Sequence, residues 1–594
     1  MPIHKKIIYY GSLVLLSIGL AGISSNLLGQ SNRGTPPGHV TKNGVDLDIR
    51  SHGRVMADEV AQNGNTVPAD PAGPVPFVLL EPQIQLRGDN IQTNDPSLDN
   101  IQIFPGFRPF VDFTQSETSI AASGQNIVAT YNSSANQPII PNPVGPGLIF
   151  IHRFLSAFST SRDGGRTWTS GFFPPVSGSI FTFGDPVVAT DRLGNFFFSN
   201  LGADAEGKAT IQVNKSTDGG NTWSDAVVVQ QDDGSDKDWM AVGPDPFQHS
   251  QDNVYVTWTS FQTSGAQLRL GRSTDGGATW TTKIVFAPSA DPDPTHPQNS
   301  LQNTNPFVDP ITGRLYIPFL HFSNADQDFF QILISDDAGE TFSFATFNVP
   351  GAPDPTLLPL VQPGELTDCR SGGFRLAIHS GPNAGGRFGL RSFVHSSRTS
   401  TQPAFAARNG ILYLAWAQST SPSFGDPNGN SNVMFIRSDD GGATWTSPVQ
   451  VNPGVPADIQ HVFPSLTIDT DPQDVHVAYY TQHADGTVDV DMANSHDRGN
   501  SFPADRTVRV SSVPSALAPT NIKLTSTTST NYDRLIVACY NLGEYLGVTS
   551  ANGSVYTFWG DGRNPVTEPV NALDPLSGQT HPQQDVFFQK VKAQ

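Results

Sequence analysis

The sequence predicts an all-β chain, a seven-bladed β-propeller of four-stranded antiparallel blades with Asp-containing turns, with six blades as the alternative. Three observations predict it. One octet recurs six times. A strand–turn–strand element recurs seven times around it. The composition, with 55 Gly, 48 Pro, 10% aromatic and only 15% charged residues, suits many short strands joined by turns better than helical bundles or disorder.

The octets are SRDGGRTW (Ser161–Trp168), STDGGNTW (Ser216–Trp223), STDGGATW (Ser273–Trp280), SDDAGETF (Ser335–Phe342), SDDGGATW (Ser438–Trp445) and SHDRGNSF (Ser495–Phe502). Their aspartates, Asp163, Asp218, Asp275, Asp337, Asp440 and Asp497, are separated by 55, 57, 62, 103 and 57 residues. A fixed period of this size marks a repeat architecture. Each octet lies between β-rich runs and therefore reads as a hairpin turn. The Asp carboxylate accepts turn N–H groups, the Gly two places on takes positive φ, and the hydroxyls bond the local backbone. The closing Trp or Phe supplies an apolar anchor between neighbouring sheets.

The first strand of each unit lines up as SETSIAA (from Ser116), GDPVVAT (Gly184), KDWMAVG (Lys237), TNPFVDP (Thr304), TQPAFAA (Thr401), VFPSLTI (Val462) and GEYLGVT (Gly543). The seventh unit ends at DVFFQKV, Asp585–Val591, before any seventh octet, so it lacks its outer strand. An N-terminal segment is expected to supply it, with PQIQLRG (Pro82–Gly88) as the candidate. Radial repetition of such four-stranded sheets is the propeller solution to exposed strand edges.

The ends of the chain read differently. His4, Lys5 and Lys6 precede an apolar run from Ile7 to Ile23, the pattern of an export signal or, alternatively, an uncleaved anchor, assigned to residues 1–25. Residues 26–75 read as a flexible linker, and residues 76–594 as the propeller closed by an N-terminal strand. The chain is thus expected outside the cytoplasm, secreted or periplasmic, and monomeric. A net charge of −20 argues against nucleic acid and anionic membranes as partners, apart from the N-terminal anchor. The two cysteines, Cys369 and Cys539, form no zinc or redox spacing; a disulfide between them and two separate buried thiols are both open.

These octets resemble the Asp-box of the bacterial neuraminidase repeat, S-x-D-x-G-x-T-W, and units bearing them cover roughly residues 110–594. The chain therefore resembles the sialidase-like superfamily of Asp-box propellers. Well-characterised sialidases there have six blades, so seven is a departure. The resemblance implies a glycan or polysaccharide ligand, a Tyr nucleophile assisted by a Glu, an acid/base Asp and an arginine clamp on an acidic sugar. It also places the boxes on the face away from the active site, where turn stability explains them.

The candidate site residues follow. One position just inside each first strand holds Glu117, Asp185, Asp238, Asn305, Gln402, Phe463 and Glu544, a crowd of carboxyl groups at one rim of the channel. Such a crowd needs raised pKa values, a cation or positive partners, so calcium is one candidate ligand although no cofactor is required. A purely structural role, tying the blades together, is equally open. The stretch from Cys369 to Gly425 has no Asp or Glu but carries Arg370, Arg375, Arg387, Arg391, Arg398 and Arg408, with His379 and His395. Arg370, Arg375 and Arg391 are the candidate clamp for a substrate carboxylate, with Asp185, Asp238 and Trp239 as further substrate contacts. In CYNLGEYLG the catalytic candidates are Tyr540, Glu544 and Tyr545, with Glu117 and Asp112 as acid/base alternatives. Glu544 and Tyr545, adjacent on an expected strand, should face opposite sides. GFRPF supplies Phe107, Arg108 and Pro109 of the family's (F/Y)RIP motif without its Ile. SADPDPTHP (Ser289–Pro297) is a second calcium candidate or a stiff loop. The functional expectation is a glycoside hydrolase acting on an acidic terminal sugar. The alternatives are a non-catalytic carbohydrate- or protein-binding propeller and a polysaccharide lyase using His379, His395 or His461 as base.

Overall fold

Antiparallel strands account for nearly all regular structure, and Ala504–Arg506 forms a 3-10 turn. This computed structural model describes residues 38–42, 45–48, 50, 83–84, 90–96, 115–136, 139–141, 148–150, 153–288, 300–322, 328–352, 354–360, 401–420, 430–452, 460–483, 487–515, 519–528, 531–540, 543–567 and 580–592. The export signal, Arg108, Asp112, the Ser289–Pro297 loop, Cys369, His379, His395 and the arginines from Arg370 to Arg398 lie outside the described residues.

The strands group in fours, in chain order, each pairing antiparallel with the next. Phe181–Thr190, Phe196–Ala203, Ala209–Ser216 and Val227–Gln231 form one such group. Ser235–Pro244, Asp252–Gln262, Gly265–Ser273 and Thr281–Phe286 form another. The pattern repeats from Gln115–Ser123, from Ala404–Arg408 and from Gln460–Ile468. In the group around Leu315–Phe322 the first strand is split into Ser300–Gln302 and Phe307–Val308. The C-terminal group runs Gly547–Ala551, Ser554–Thr567, Thr580–Lys592, and its fourth strand is Ile91–Gln92. This repetition of four-stranded antiparallel sheets is the arrangement of a propeller.

The fourth strand differs from the expected PQIQLRG segment. Gln83–Ile84 instead pair with Thr167–Trp168, on the outer edge of the first group. Polar side chains select Ile91–Gln92: Asn94 Nδ2 donates to Asp585 Oδ1 at 2.7 Å, and the Val586 amide donates back to Asn94 Oδ1 at 3.1 Å. The expected linker also contains structure, because His39–Lys42 and Val45–Asp48 pair as a hairpin. The sequence between them is Asn43-Gly44, the dipeptide most favoured in two-residue hairpin turns.

The octets build their turns from one bonding set. In all six, the first Ser hydroxyl donates to the Asp Oδ1 at 2.6–2.9 Å and accepts the Gly amide at 2.8–2.9 Å. The seventh-position Thr or Ser hydroxyl donates to the other Asp oxygen at 2.6–2.7 Å. The closing aromatic then packs on the preceding sheet. Trp223 lies 5.8 Å from Phe158, Trp445 5.0 Å from Phe347, and Phe502 5.2 Å from Phe435, between ring centroids. Trp168 in the first group packs on Phe588 in the C-terminal group at 4.8 Å. Each such aromatic pair adds about 0.5–1.5 kcal/mol beyond its burial.

Candidate functional site

The first strands do not run straight into the sheet. In four of them two residues oppose one on the partner strand: Glu117-Thr118 against Tyr131, Asp185-Pro186 against Asn200, Lys237-Asp238 against Trp258, and Phe463-Pro464 against Tyr479. The first residue of each bulge is left-handed, with φ of 54° at Glu117, 54° at Asp185, 48° at Lys237 and 51° at Phe463. Asn303 (60°) and Gly543 (91°) share this conformation. A non-glycine residue there costs about 1–3 kcal/mol, and a bulge re-aims the side chain it carries. Four separate strands bear that cost at the same place.

This register corrects the sequence alignment. The equivalent residues are Lys237, Asn303 and Gly543 rather than Asp238, Asn305 and Glu544. Glu544 and Tyr545 also depart from the strand expected there, since the strand begins only at Gly547. They occupy an irregular segment after Gly543 and do not face opposite sides: both are buried, and the charge of Glu544 acts on Tyr545 and on Glu117. Gly543 is fixed by contact as well as by φ, because a Cβ there would lie 2.4 Å from the Glu117 amide nitrogen.

The bulges gather Glu117, Asp185, Lys237, Asp238, Glu544 and Tyr545 into one cluster. The first four are 0% exposed, and Glu544 and Tyr545 are 3% and 4% exposed. Lys237 Nζ sits 3.3 Å from the Tyr545 ring centroid and 4.8 Å from that of Trp239, and the two rings meet edge-on at 4.9 Å. Tyr545 of the C-terminal group thereby meets residues of the group that begins at Ser235. Asn132 spans two bulges: its Nδ2 donates to Glu117 Oε2, and its Oδ1 accepts the Asp185 amide at 2.9 Å. Gly184 leaves room for it, since a Cβ there would lie 2.5 Å from Asn132 Oδ1. Gln402 Nε2 donates to the Glu544 carbonyl at 2.8 Å. Asn305 Nδ2 likewise donates to the Pro403 carbonyl at 2.8 Å, so both amides of the expected rim serve inter-strand bonding.

Electrostatics follow from burial. Loss of water pushes the Glu117 carboxyl well above the carboxylate range, and the charges of Asp185 and Glu544 add to it. Burial also holds Asp238 well above its usual value, with Asp185 adding and the Ser199 hydroxyl and Lys237 opposing. Lys237 is pushed down by burial against the pull of Asp185, Glu544, Glu117 and Asp238. Tyr545 is pushed up, first by burial and then by Glu117 and Asp185. The cluster thus contains two carboxyl groups, Glu117 and Asp238, pushed well above the carboxylate range, a buried amine and a phenol, the components of acid/base chemistry.

The structure brings together six of the residues singled out in the sequence: Glu117, Asp185, Asp238, Trp239, Glu544 and Tyr545. Tyr540 ends the strand Asn531–Tyr540, which pairs with Pro519–Thr528, and the side chains of both Tyr540 and Cys539 lie outside the described set. Arg370, Arg375 and Arg391 are likewise outside it. Lys237 is the cation whose charge acts on Glu117 and Asp238, while Arg192, Arg272, Arg314, Arg437 and Arg509 pair with carboxylates elsewhere. Among the described residues no group of three or more His, Cys, Asp or Glu side chains is arranged to hold a metal ion. His461 packs against Tyr479 at 5.5 Å, its Nδ1 lies 3.2 Å from Thr481 Oγ1, and burial with the nearby His483 holds it down to about 4. Sequence reasoning missed Lys237 and Asn132. The signal for Lys237 was a lysine beside the aligned acidic position; Asn132 carried none.

No family model and no curated protein matches the sequence. Solved structures resemble the fold at low identity, and sialidases and arabinanases are among them. The structure is similar to a polysaccharide lyase of an ulvan lyase family, at 10% identity over 81% of this chain and 95% of that one, with a TM-score of 0.43. It is similar to a Hadza microbial sialidase at 13% identity over 86% and 99%, TM-score 0.35. It is similar to a Trypanosoma rangeli sialidase at 13% identity over 88% of this chain and 60% of that one, TM-score 0.32.

Proposed function

We propose that the chain is an exported, carbohydrate-active propeller of seven blades, sialidase-like in its repeat, that works as a glycoside hydrolase through the buried cluster. The observation that carries this reading is the convergence of buried carboxyl groups, held well above the carboxylate range, and a phenol in one cluster, at strained bulges. Glycoside hydrolysis needs an acid that keeps its proton at neutral pH and a second group to meet the anomeric carbon. Burial moves Glu117 toward the first property, by pushing its carboxyl well above the carboxylate range. Its proton passes to the leaving-group oxygen. The Tyr545 oxygen closes on the anomeric carbon as the phenol proton passes to the neighbouring Glu544. Water then cleaves the glycosyl–tyrosine bond, leaving its hydroxyl on the anomeric carbon and giving its proton to Glu117, while Glu544 returns the phenol proton to the Tyr545 oxygen. Lys237, against the face of the Tyr545 ring, holds that ring in place.

A second reading is favoured by the burial itself. Glu117, Asp185, Lys237 and Asp238 are fully covered, and Gln402 ties down the Glu544 carbonyl. That suits a non-catalytic binding propeller whose polar centre joins its blades. Hydrolysis of fluorogenic glycosides, a sialoside included, separates the two. The hydrolase reading expects release by the wild-type chain and a loss of at least about 100-fold in Glu117→Gln, with an unchanged far-UV circular dichroism spectrum. Silence across the panel from a folded chain would sink it in favour of the binding reading.

A further inference from the structure

The far ends of the first strands, away from the bulges, carry a feature that the carbohydrate reading does not use. There the turn joining the first two strands of a sheet lies beside its octet. Phe196 pairs with Thr190 on one side and with Ser216, where an octet begins, on the other. Val254 pairs likewise with Val242 and Ser273, and Leu315 with Val308 and Ser335. In these three consecutive sheets the turn is built the same way. Asp191 Oδ1 accepts the Leu193 amide at 3.0 Å, Asp245 Oδ1 the Phe247 amide at 2.8 Å, and Asp309 Oδ1 the Ile311 amide at 2.9 Å. Such an Asp fixes the residue two places on, and here that residue is apolar and turned to solvent. Leu193 is 88% exposed, Phe247 73% and Ile311 48%. In the sheet that begins at Gln460 the same device, Asp471, holds the polar Gln473 instead.

The three tips are locked together. The Arg192 amide and Nε donate to the Asp252 carboxylate at 2.9 and 2.7 Å, tying the first turn to the second. Gly313 packs the third turn on the second, since a Cβ there would lie 2.7 Å from the Pro244 carbonyl oxygen. Apolar side chains scattered singly over a surface are ordinary, whereas a fixed row of them marks an interaction site.

Charge selects the occupant. Around the tips Arg192 pairs with Asp252, Arg314 with Asp336, and Arg272 and Lys283 with Glu340, while Lys215 bonds the Gly276 carbonyl. Asp191, Asp245, Asp275 and Asp337 bond turn amides and side-chain hydroxyls or amides, not cations. The ledge therefore has carboxylates to spare. A second copy of a chain of net charge −20 would bring the same excess, and an anionic lipid surface would be repelled.

We propose that this ledge docks a basic peptide segment of another protein, whose apolar side chains rest on Leu193, Phe247 and Ile311 and whose lysines or arginines meet the surrounding carboxylates. The test pans a phage-displayed library of random linear peptides on the full chain, and the best clone is then measured as a labelled synthetic peptide by fluorescence anisotropy. Retained clones should carry Lys or Arg beside Leu, Ile or Phe. Phe247→Ser and Leu193→Ser should each weaken the peptide by about tenfold or more, and added salt should weaken it further. Both side chains lie on the surface, so the thermal melts should not move. A library that yields no clone, clones without positive charge, or a peptide that binds both variants as tightly as wild type would each overturn the proposal. So would self-association that Phe247→Ser abolishes, which would give the ledge to a second copy. Protection of Leu193 and Phe247 from hydroxyl-radical oxidation in the free monomer would also overturn it, because a segment of the chain itself would then cover them. None of these readouts depends on glycoside hydrolysis.

Discussion

The ammonium of Lys237 lies 3.3 Å from the centroid of the Tyr545 ring, joining the bulge of one sheet to a residue that precedes the first strand of another. A desolvated cation–π contact of this kind contributes about 2 kcal/mol. It also places the cluster's positive charge where four carboxyl groups share it.

Lys237→Met keeps much of the side-chain volume and removes that charge. Leaving buried carboxyl groups without their cation should destabilise the fold by about 3–5 kcal/mol at pH 8. Acidification should reduce the loss, because Glu117 and Asp238 take up protons readily and then need no counter-charge. Urea unfolding at pH 5 and pH 8 reads both values. An equal loss at the two pH values would mean that Lys237 acts through packing alone.

The octet turns make a second pH-dependent prediction, over a more acid range. The Thr279 hydroxyl and amide, with the Ser273 hydroxyl, hold Asp275 down to about 2. A carboxylate whose folded value is depressed stabilises the fold above its unfolded value, near 3.9, and that contribution is lost as pH falls toward about 2. Asp275→Ala also removes the turn's acceptor for Ser273, Ala278 and Thr279. It should therefore cost about 1–2 kcal/mol at pH 7 and markedly less at pH 2.5. A difference between wild type and variant that does not change with pH would remove the carboxylate from this account.

What the sequence revealed and what it hid divide along a physical line. The octets were legible because every bond in them is local: Ser161, Asp163, Gly165 and Thr167 satisfy one another within seven residues. The site was legible only to within a residue or two. A bulge adds one residue and turns its side chain, so alternation cannot tell whether Lys237 or Asp238 takes the positive φ. Glu544 and Tyr545 were assigned to a strand for the same reason, although Gly543 breaks the pleat just before them. The outer strand of the C-terminal group was misplaced because its choice depends on Asn94 meeting Asp585, a contact 491 residues away in sequence. Asn132 looks like any strand residue until Glu117 and Asp185 are seen on either side of it.

Glu117 carries the last prediction, since its burial ought to cost stability in proportion to its use as an acid. Its folded value lies well above the ordinary one, so the folded chain binds a proton that the unfolded chain has lost. Stability linked to that proton is fully present below the unfolded value, near 4.3, and is lost as pH rises from there through the folded value. Glu117→Gln cannot ionise, and its amide can still accept from Asn132. Wild type and variant should therefore unfold alike near pH 4, whereas at pH 8 the variant should be the more stable by about 1–2 kcal/mol. Thermal melts across that range decide it. A variant less stable than wild type at pH 8 would mean that the Glu117 carboxyl is satisfied by its surroundings in a way that glutamine cannot copy, and its role as a stored proton would have to be given up.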